Sequence, residues 1–153
     1  MRILKKILWV PVVLLITIQF IRPARNNDKH LLTTDIIKTV PVPDTVLGIL
    51  KSACYDCHSN STRYPWYVNI QPVAWMMAGH IKQGKADLNF SEFGAYSKRK
   101  QAHKLRAVSE VLLECSMPLS SYTLIHTDAR LDEAEKKIII AWALKMQDNL
   151  SKK

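Results

Sequence analysis

The sequence predicts an all-α fold, and three observations support this prediction. Apolar residues recur at intervals of three and four in several segments, as they do on one face of a helix. Alternating apolar and polar runs are nearly absent, and only 4 of the 153 residues are Gly, which argues against a sandwich, a barrel or a glycine-rich nucleotide-binding fold. With 48% hydrophobic and 23% charged residues, the chain has enough apolar material for one core and is not a disordered or collagenous protein.

An uncharged apolar run lies near the start of the chain. Residues 7–21 contain no charged side chain, three basic residues precede them, and Arg22 and Arg25 follow. A basic flank before an apolar run is typical of an export signal, but small residues for a cleavage site are missing here. The run is short for a membrane helix, and its flanking residues extend it. We therefore predict an uncleaved membrane anchor over residues 1–24, with the charge bias weakly favouring a cytoplasmic N-terminus.

The segment after the anchor is polar and mixed. Residues 25–43 end in a stretch with Pro41 and Pro43, which cannot form a helix interior. We therefore predict a linker over residues 25–43 that lifts a domain off the membrane. The length of the chain suits one modest domain, and we place that domain at residues 44–150.

Four or so short helices are predicted in this domain, from start signals and apolar periodicity. Asp44 is the expected N-cap of the first helix. Pro72 starts the second, which Gly84 should end. Ser97 caps the third, and Asp132 begins a capping box for the last. The positions expected to lie on the inner faces are Val46, Leu47, Leu50, Val73, Met77, His80, Ile81, Ala102, Leu105, Val108, Leu112, Ile139, Trp142, Ala143 and Met146.

One short motif carries chemistry. Residues 54–58 read Cys-Tyr-Asp-Cys-His, and CxxCH is the attachment signature of a c-type haem. Two thiols at this spacing reach the two vinyl groups of one porphyrin as thioethers, and the adjacent imidazole becomes the proximal iron ligand. A thioredoxin-type pair belongs in a βαβ setting that the sequence lacks, and zinc needs a second ligand pair. The motif predicts one haem c held by Cys54, Cys57 and His58.

The sixth iron ligand has two candidates besides an open position. Met117 begins a Met-Pro-Leu loop that resembles the Met loop of class I cytochromes c, and it is our predicted ligand beside His58. His80 shares a helix face with Met77, so it is the alternative, as a ligand or as a hydrogen-bond donor in a distal pocket. The other histidines are expected to be exposed: His30, His103 and His126.

An aromatic run supplies further candidates for the haem pocket. Trp66, between Tyr64 and Tyr67, offers a flat apolar wall for a porphyrin, although any small helical core also needs bulky residues. Arg63 is a candidate partner for a haem propionate because guanidinium pairs well with carboxylate. A surface role for Arg63 fits the sequence equally well.

The chain also resembles the small bacterial haem-binding domain family over residues 20–148. Members of that family are typically membrane-anchored proteins with a single CxxCH, so the resemblance implies a covalently bound haem outside the cytoplasm and does not assign a reaction. One departure is Cys115, where we expect Gly or another ordinary residue, and which leaves an odd thiol. The resemblance rests on SACYDCHSN at 52–60, YPWY at 64–67, PV at 72–73, HIKQG at 80–84, LNFSEF at 88–93 and MPL at 117–119.

These observations together predict a membrane-anchored, cytochrome c-like monohaem protein. We expect it to transfer single electrons to or from an unidentified redox partner protein, with an inner-membrane anchor and a periplasmic haem domain. The alternative is a haem-based ligand sensor or a peroxidase-like enzyme that uses His80. An electron carrier is favoured because paired catalytic carboxylates and nucleophile constellations are missing from the sequence. The net charge of +9 does not indicate nucleic-acid binding, since no recognition motif is present.

Overall fold

The structure is a computed structural model that describes residues 2–28 and 30–152, without the side chains of residues 2–8. Met1 and those side chains, in the predicted anchor, and Lys29, in the predicted linker, lie outside the described residues. The all-α prediction is confirmed, since the described residues form helices and one isolated β-bridge between Asn27 and Ser61. The helices are α1 (Arg2–Ile18), α2 (Ile36–Thr39), α3 (Asp44–Ala53), α4 (Tyr55–His58), α5 (Val73–Asp87), α6 (Lys98–Leu113), α7 (Ser120–Thr123) and α8 (Glu133–Ser151), with 3₁₀ turns at Trp66–Asn69, Phe90–Ala95 and Thr127–Ala129.

The main core lies between α6, α8 and α3. Leu105 and Leu112 of α6 pack with Ile139 and Trp142 of α8, and α3 adds Leu50. Burial of such side chains is the dominant favourable term in folding. Most of the predicted inner positions are buried, and the buried ones are Val46, Leu50, Met77, Ile81, Ala102, Leu105, Leu112, Ile139, Trp142, Ala143 and Met146.

The predicted linker is part of the folded domain, and that prediction is wrong. Ile36 is fully buried and Val40 is 7% exposed, both within the main core. The Trp142 indole donates a hydrogen bond to the Pro41 carbonyl at 2.9 Å. Asp35 caps α2 by accepting from the Ile37 amide at 3.1 Å. The polar composition of residues 25–43 does not indicate that Ile36 and Val40 lie in the core, because their contacts form only in the tertiary fold.

Two of the predicted helix starts are confirmed by their hydrogen bonds. Ser97 accepts from the Lys100 amide at 3.3 Å. Asp132 accepts from the Glu135 amide at 2.7 Å, and the Glu135 carboxylate accepts from the Asp132 amide at 3.0 Å, which completes the capping box. Asp44 differs, because it is the first residue of α3 and not its N-cap.

The exit of α1 is fastened to the start of α5. The Gln71 side chain donates to the Ile21 carbonyl at 2.7 Å, and the Gln71 amide donates to Gln19 Oε1 at 2.9 Å. The described apolar side chains of α1, from Trp9 to Ile16, are exposed. None of the helices described for residues 2–28 and 30–152 has both the length and the apolar character that a membrane crossing requires.

Helix α5 does not end at Gly84, contrary to the sequence prediction. It continues to Asp87, and Gly84 instead allows α5 to approach the CxxCH turn closely. A Cβ at Gly84 would lie 2.7 Å from the Cys57 carbonyl oxygen, closer than van der Waals contact allows. Gly84 therefore permits a close contact between α5 and the backbone of Cys57, and it does not cap the helix.

The odd thiol, Cys115, stands where the end of α6 favours glycine. Its φ of 54° is in the left-handed region. The Cys115 amide donates to Leu112 at 3.3 Å and the Ser116 amide donates to Val111 at 3.0 Å, which is the Schellman pattern of a helix C-terminus. The side chain is exposed, with Lys136 Nζ 3.6 Å from its sulfur.

Substitution of Gly84 by Ala should lower the free energy of unfolding by about 1–3 kcal/mol, because the added methyl group forces α5 away from Cys57. Gly79→Ala in the same helix is the matched control, since nothing lies within 4 Å of a Cβ there. Gly79→Ala should raise the free energy of unfolding by about 0.5–1 kcal/mol through helix propensity. Urea unfolding followed by circular dichroism measures both, and equal effects would contradict the close contact.

Substitution of Cys115 by Gly should raise the free energy of unfolding by about 0.5–1 kcal/mol, because glycine adopts the left-handed conformation without a Cβ penalty. Cys115→Ala keeps the Cβ and removes only the thiol, so it should bring no such gain. The same denaturation experiment compares the two variants. A gain of equal size in both would show that the thiol, and not the backbone conformation, is unfavourable.

Candidate functional site

The site is built on the turn that joins α3 to α4. Cys54 follows α3, and its carbonyl accepts hydrogen bonds from the Cys57 amide at 3.2 Å and the His58 amide at 3.0 Å. This single helical turn, α4, keeps both thiols and the imidazole within four residues of chain. Cys54, Cys57 and His58 are each half-buried, so they are accessible from an adjoining cavity without lying at the outer surface.

Two adjoining cavities open beside this turn. The first has a volume of about 290 Å³ and reaches Leu88, Phe90 and Val108. The second, of about 230 Å³, reaches His80 and Tyr122. Their shared lining makes them two parts of one site, mostly apolar with a few polar groups, as is usual for ligand pockets. The residues that line both are Ala53, Cys54, His58, Asp87, Met117 and Pro118.

One hydrogen bond fixes the imidazole of His58. Its Nδ1 lies 2.9 Å from the Leu88 carbonyl oxygen. A carbonyl only accepts, so Nδ1 carries the proton and Nε2 keeps a free lone pair. Metal-binding histidines are oriented in this way, with one ring nitrogen donating to a carbonyl and the other facing the metal. The arrangement leaves Nε2 of His58 free to bind a metal ion.

The pKa values of the two thiols are shifted in the opposite direction from those of a redox-active pair. Burial raises the pKa of Cys54 to about 12 and that of Cys57 to about 11. A thiol-disulfide oxidoreductase depends on a lowered pKa, since the thiolate is the nucleophile. The structure therefore agrees with the sequence argument against a thioredoxin-type site.

Asp56, between the two cysteines, is buried and carries its own set of partners. The Arg63 amide donates to its carboxylate at 3.0 Å, the Arg63 guanidinium lies 3.3 Å away, and the Tyr122 hydroxyl donates at 2.6 Å. The hydrogen bond from the Arg63 guanidinium to Asp56 raises the pKa of Arg63. The pKa of Tyr122 is also raised, mainly by burial. These bonds tie the turn to the loop after it and to α7.

Arg63 therefore has carboxylate partners within the chain. It pairs with Asp56 and, at 3.5 Å, with Asp128, and it lines neither cavity of the site. Trp66 also lies away from both cavities; it is 75% exposed and meets Tyr67 edge-on, with ring centroids 6.0 Å apart. The roles predicted for these two residues, propionate partner and porphyrin wall, have no support in this geometry.

The two candidates for the sixth ligand both reach the site. Met117 lies just beyond the end of α6, is half-buried, and lines both cavities with His58. His80, on α5, is half-buried and lines only the second cavity. The fold thus brings together five of the seven predicted site residues, and it gives Met117 the wider access.

A buried polar cluster that the sequence does not indicate lies behind the site. The Asn89 side chain donates to Asn60 Oδ1 at 2.8 Å, and the Asn60 amide donates to the Ser91 hydroxyl at 3.1 Å. This cluster locks the residues after His58 to those after Leu88. Both segments lie within motifs of the family resemblance, but loop residues have no periodicity from which their pairing could be read.

His126 was predicted to be exposed, but it is half-buried. Its ring stacks on Tyr122 with centroids 4.2 Å apart, and its Nε2 shares a hydrogen bond with the Tyr67 hydroxyl. The aromatic run after the CxxCH motif is therefore attached to α7, beside the second cavity. No local sequence signal indicates this contact, because His126 lies in an irregular loop 59 residues after Tyr67.

The residues present fit a haem. The site offers two thiols at CxxC spacing, an imidazole whose Nε2 is free, a thioether in the same cavities, and an apolar lining. Methionine and histidine are a standard axial pair in cytochromes c. Comparison with known proteins points the same way.

A family model described as a haem-binding domain matches residues 13–145 of the chain. No curated protein and no solved structure shows a significant match. The matched region includes the CxxCH turn, α5, the 88–93 segment and the Met117 loop, which together form the site. The chain belongs to the haem-binding domain family.

Proposed function

We propose that this protein is a membrane-anchored c-type monohaem protein that transfers single electrons outside the cytoplasm. The observation that carries the proposal is the shared lining of the two cavities, where Cys54, His58 and Met117 meet. Attachment residues, a prepared proximal ligand and a second iron ligand are then all supplied at one site. A bound haem would provide a one-electron iron couple there.

Each residue of the site has a specific part in this proposal. Cys54 and Cys57 would each add S–H across a vinyl C=C bond, which forms a thioether without an oxidant. His58 would bind iron through Nε2, with Nδ1 held by the Leu88 carbonyl. Met117 would supply the sixth ligand from the loop after α6.

Electron transfer is favoured over catalysis by the ligand set. With His58 and Met117 both bound, no coordination position is left for a substrate. An exported location suits this chemistry, because covalent haem attachment in bacteria takes place on the outer side of the inner membrane. The basic flank and the exposed apolar side chains of α1 support anchoring at that membrane.

One observation favours a second candidate function. His80 lines the second cavity together with His58 and Tyr122, so this part of the site contains a second imidazole and a phenol. If Met117 does not bind iron, a ligand sensor or a peroxidase-like enzyme becomes the better description.

Haem should remain with the polypeptide on denaturing electrophoresis, and a Cys54→Ala/Cys57→Ala variant should lose it. Thioethers survive denaturation, whereas iron coordination by His58 alone does not. Cys115→Ala is the matched control, since that thiol lies outside both cavities, and it should keep its haem stain. A wild-type band without haem stain would refute covalent attachment.

Met117→Ala should abolish the thioether-to-iron charge-transfer band of the oxidised protein and allow the reduced protein to bind carbon monoxide. Met76→Ala is the control, because Met76 is an exposed methionine of α5, and its spectra should equal those of the wild type. Absorption spectra with and without carbon monoxide measure both. Carbon monoxide binding to the unmodified protein, abolished or altered in His80→Ala, would instead support the second candidate function.

A further inference from the structure

One end of the molecule exposes aromatic and aliphatic side chains that the haem site does not use. They come from the exit of α1, from the 3₁₀ turn after the CxxCH loop and from the start of α5. Phe20 is 84% exposed and Trp66 is 75% exposed, which is unusual for clustered large apolar groups on a soluble surface. We call this surface the aromatic end, and its members are Phe20, Ile21, Trp66, Ile70, Trp75 and Met76.

Hydrogen bonds make the aromatic end one continuous surface with the exit of α1. The Ile21 carbonyl accepts from the Trp75 indole at 3.0 Å and from the Gln71 side chain at 2.7 Å. The Asn69 side chain joins the 3₁₀ turn to this segment by accepting from Arg25 at 2.6 Å. Any surface on which the apolar residues of α1 lie or into which they insert must therefore be next to these aromatic rings.

The charge at this end is of one sign. Residues 9–27 and 64–82, which carry the aromatic end, contain Arg22, Arg25 and Lys82 and none of the 13 acidic residues of the chain. Arg25 and Lys82, together with Lys85, line one shallow groove beside Tyr64. An apolar surface with cations beside it matches the headgroup region of an anionic lipid layer.

We propose that the aromatic end rests on the surface of the membrane, in contact with anionic phospholipid headgroups. Indole rings favour this boundary, because one side is apolar and the N–H is polar. The side chains of Phe20, Ile70 and Met76 lie at the top of the acyl region, and Arg25 and Lys82 of the basic groove face the phosphates. This inference rests on the proposed anchoring through α1.

Docking of this kind gives the haem site a fixed height above the membrane. Helix α5 carries Trp75 at the aromatic end and Gly84 against the CxxCH turn, and nine residues of α-helix span about 14 Å. Residues 36–42 pack in the main core and do not act as a flexible tether. The domain then meets its redox partner in one orientation.

Spin-label accessibility in vesicles tests this proposal with the full-length protein carrying its haem. In a Cys115→Ser background, single nitroxide labels are placed at Ile70→Cys and Met76→Cys, in the aromatic end. Ile16→Cys in α1 reports anchoring, and Leu124→Cys, which replaces an exposed residue of the domain, is the control. The vesicles contain phosphatidylcholine and phosphatidylglycerol, and each accessibility is measured against the same sample without oxygen or nickel.

We expect labels at 70 and 76 to collide severalfold more with oxygen, relative to a water-soluble nickel chelate, than the label at 124. The label at 16 should be at least as protected from nickel as the labels at 70 and 76. If label 16 is protected while 70 and 76 behave like 124, docking is wrong and anchoring stands. If label 16 is also open to nickel, the proposed anchoring itself fails.

Lipid composition tests the part played by charge. In vesicles of phosphatidylcholine alone, the protection of labels 70 and 76 should fall, and Arg25→Gln/Lys82→Gln should have the same effect in the mixed vesicles. Protection that does not depend on phosphatidylglycerol or on these two cations would overturn the assignment to anionic lipid.

Discussion

The site depends on the contact between α5 and the CxxCH turn. At Gly84 the helix has no side chain, so the Cys57 carbonyl comes within the space a Cβ would occupy. One turn later the helix ends, and the Leu88 carbonyl accepts a hydrogen bond from Nδ1 of His58. A single helix thus sets the position of the turn and the orientation of its imidazole. Because both contacts are with backbone oxygens, the geometry depends on the path of the chain more than on the chemistry of particular side chains.

The same helix connects the aromatic end to the haem site. Its first turn carries Trp75, which is bound to the exit of α1, and its last turn meets the haem site. The polar clusters around Asp56 and Asn60 then hold the rest of the turn from the other side. Such buried networks are costly when they are incomplete, so the protein's own side chains closely determine the local structure around the cysteines.

The features that can be predicted from the sequence are local, and those that cannot be predicted involve residues far apart in the chain. The CxxCH motif and the capping residues Ser97 and Asp132 act over three or four positions, so they can be read directly. Gly84 has two common uses, as a C-cap and as a site of close approach, and only the position of Cys57 decides between them. The contacts of Ile36 and His126 join segments far apart in the chain. No periodicity marks such contacts, and so the predicted linker and the predicted exposure of His126 were wrong.

The most direct test of this account is the ring N–H of His58 in the reduced protein with haem bound, observed by ¹⁵N-labelled NMR. We expect a proton on Nδ1 that exchanges slowly with solvent and shows contacts to Leu88, with no proton on Nε2. A proton on Nε2, or an Nδ1 proton that exchanges freely and is remote from Leu88, would contradict the claim that α5 prepares His58 to bind iron.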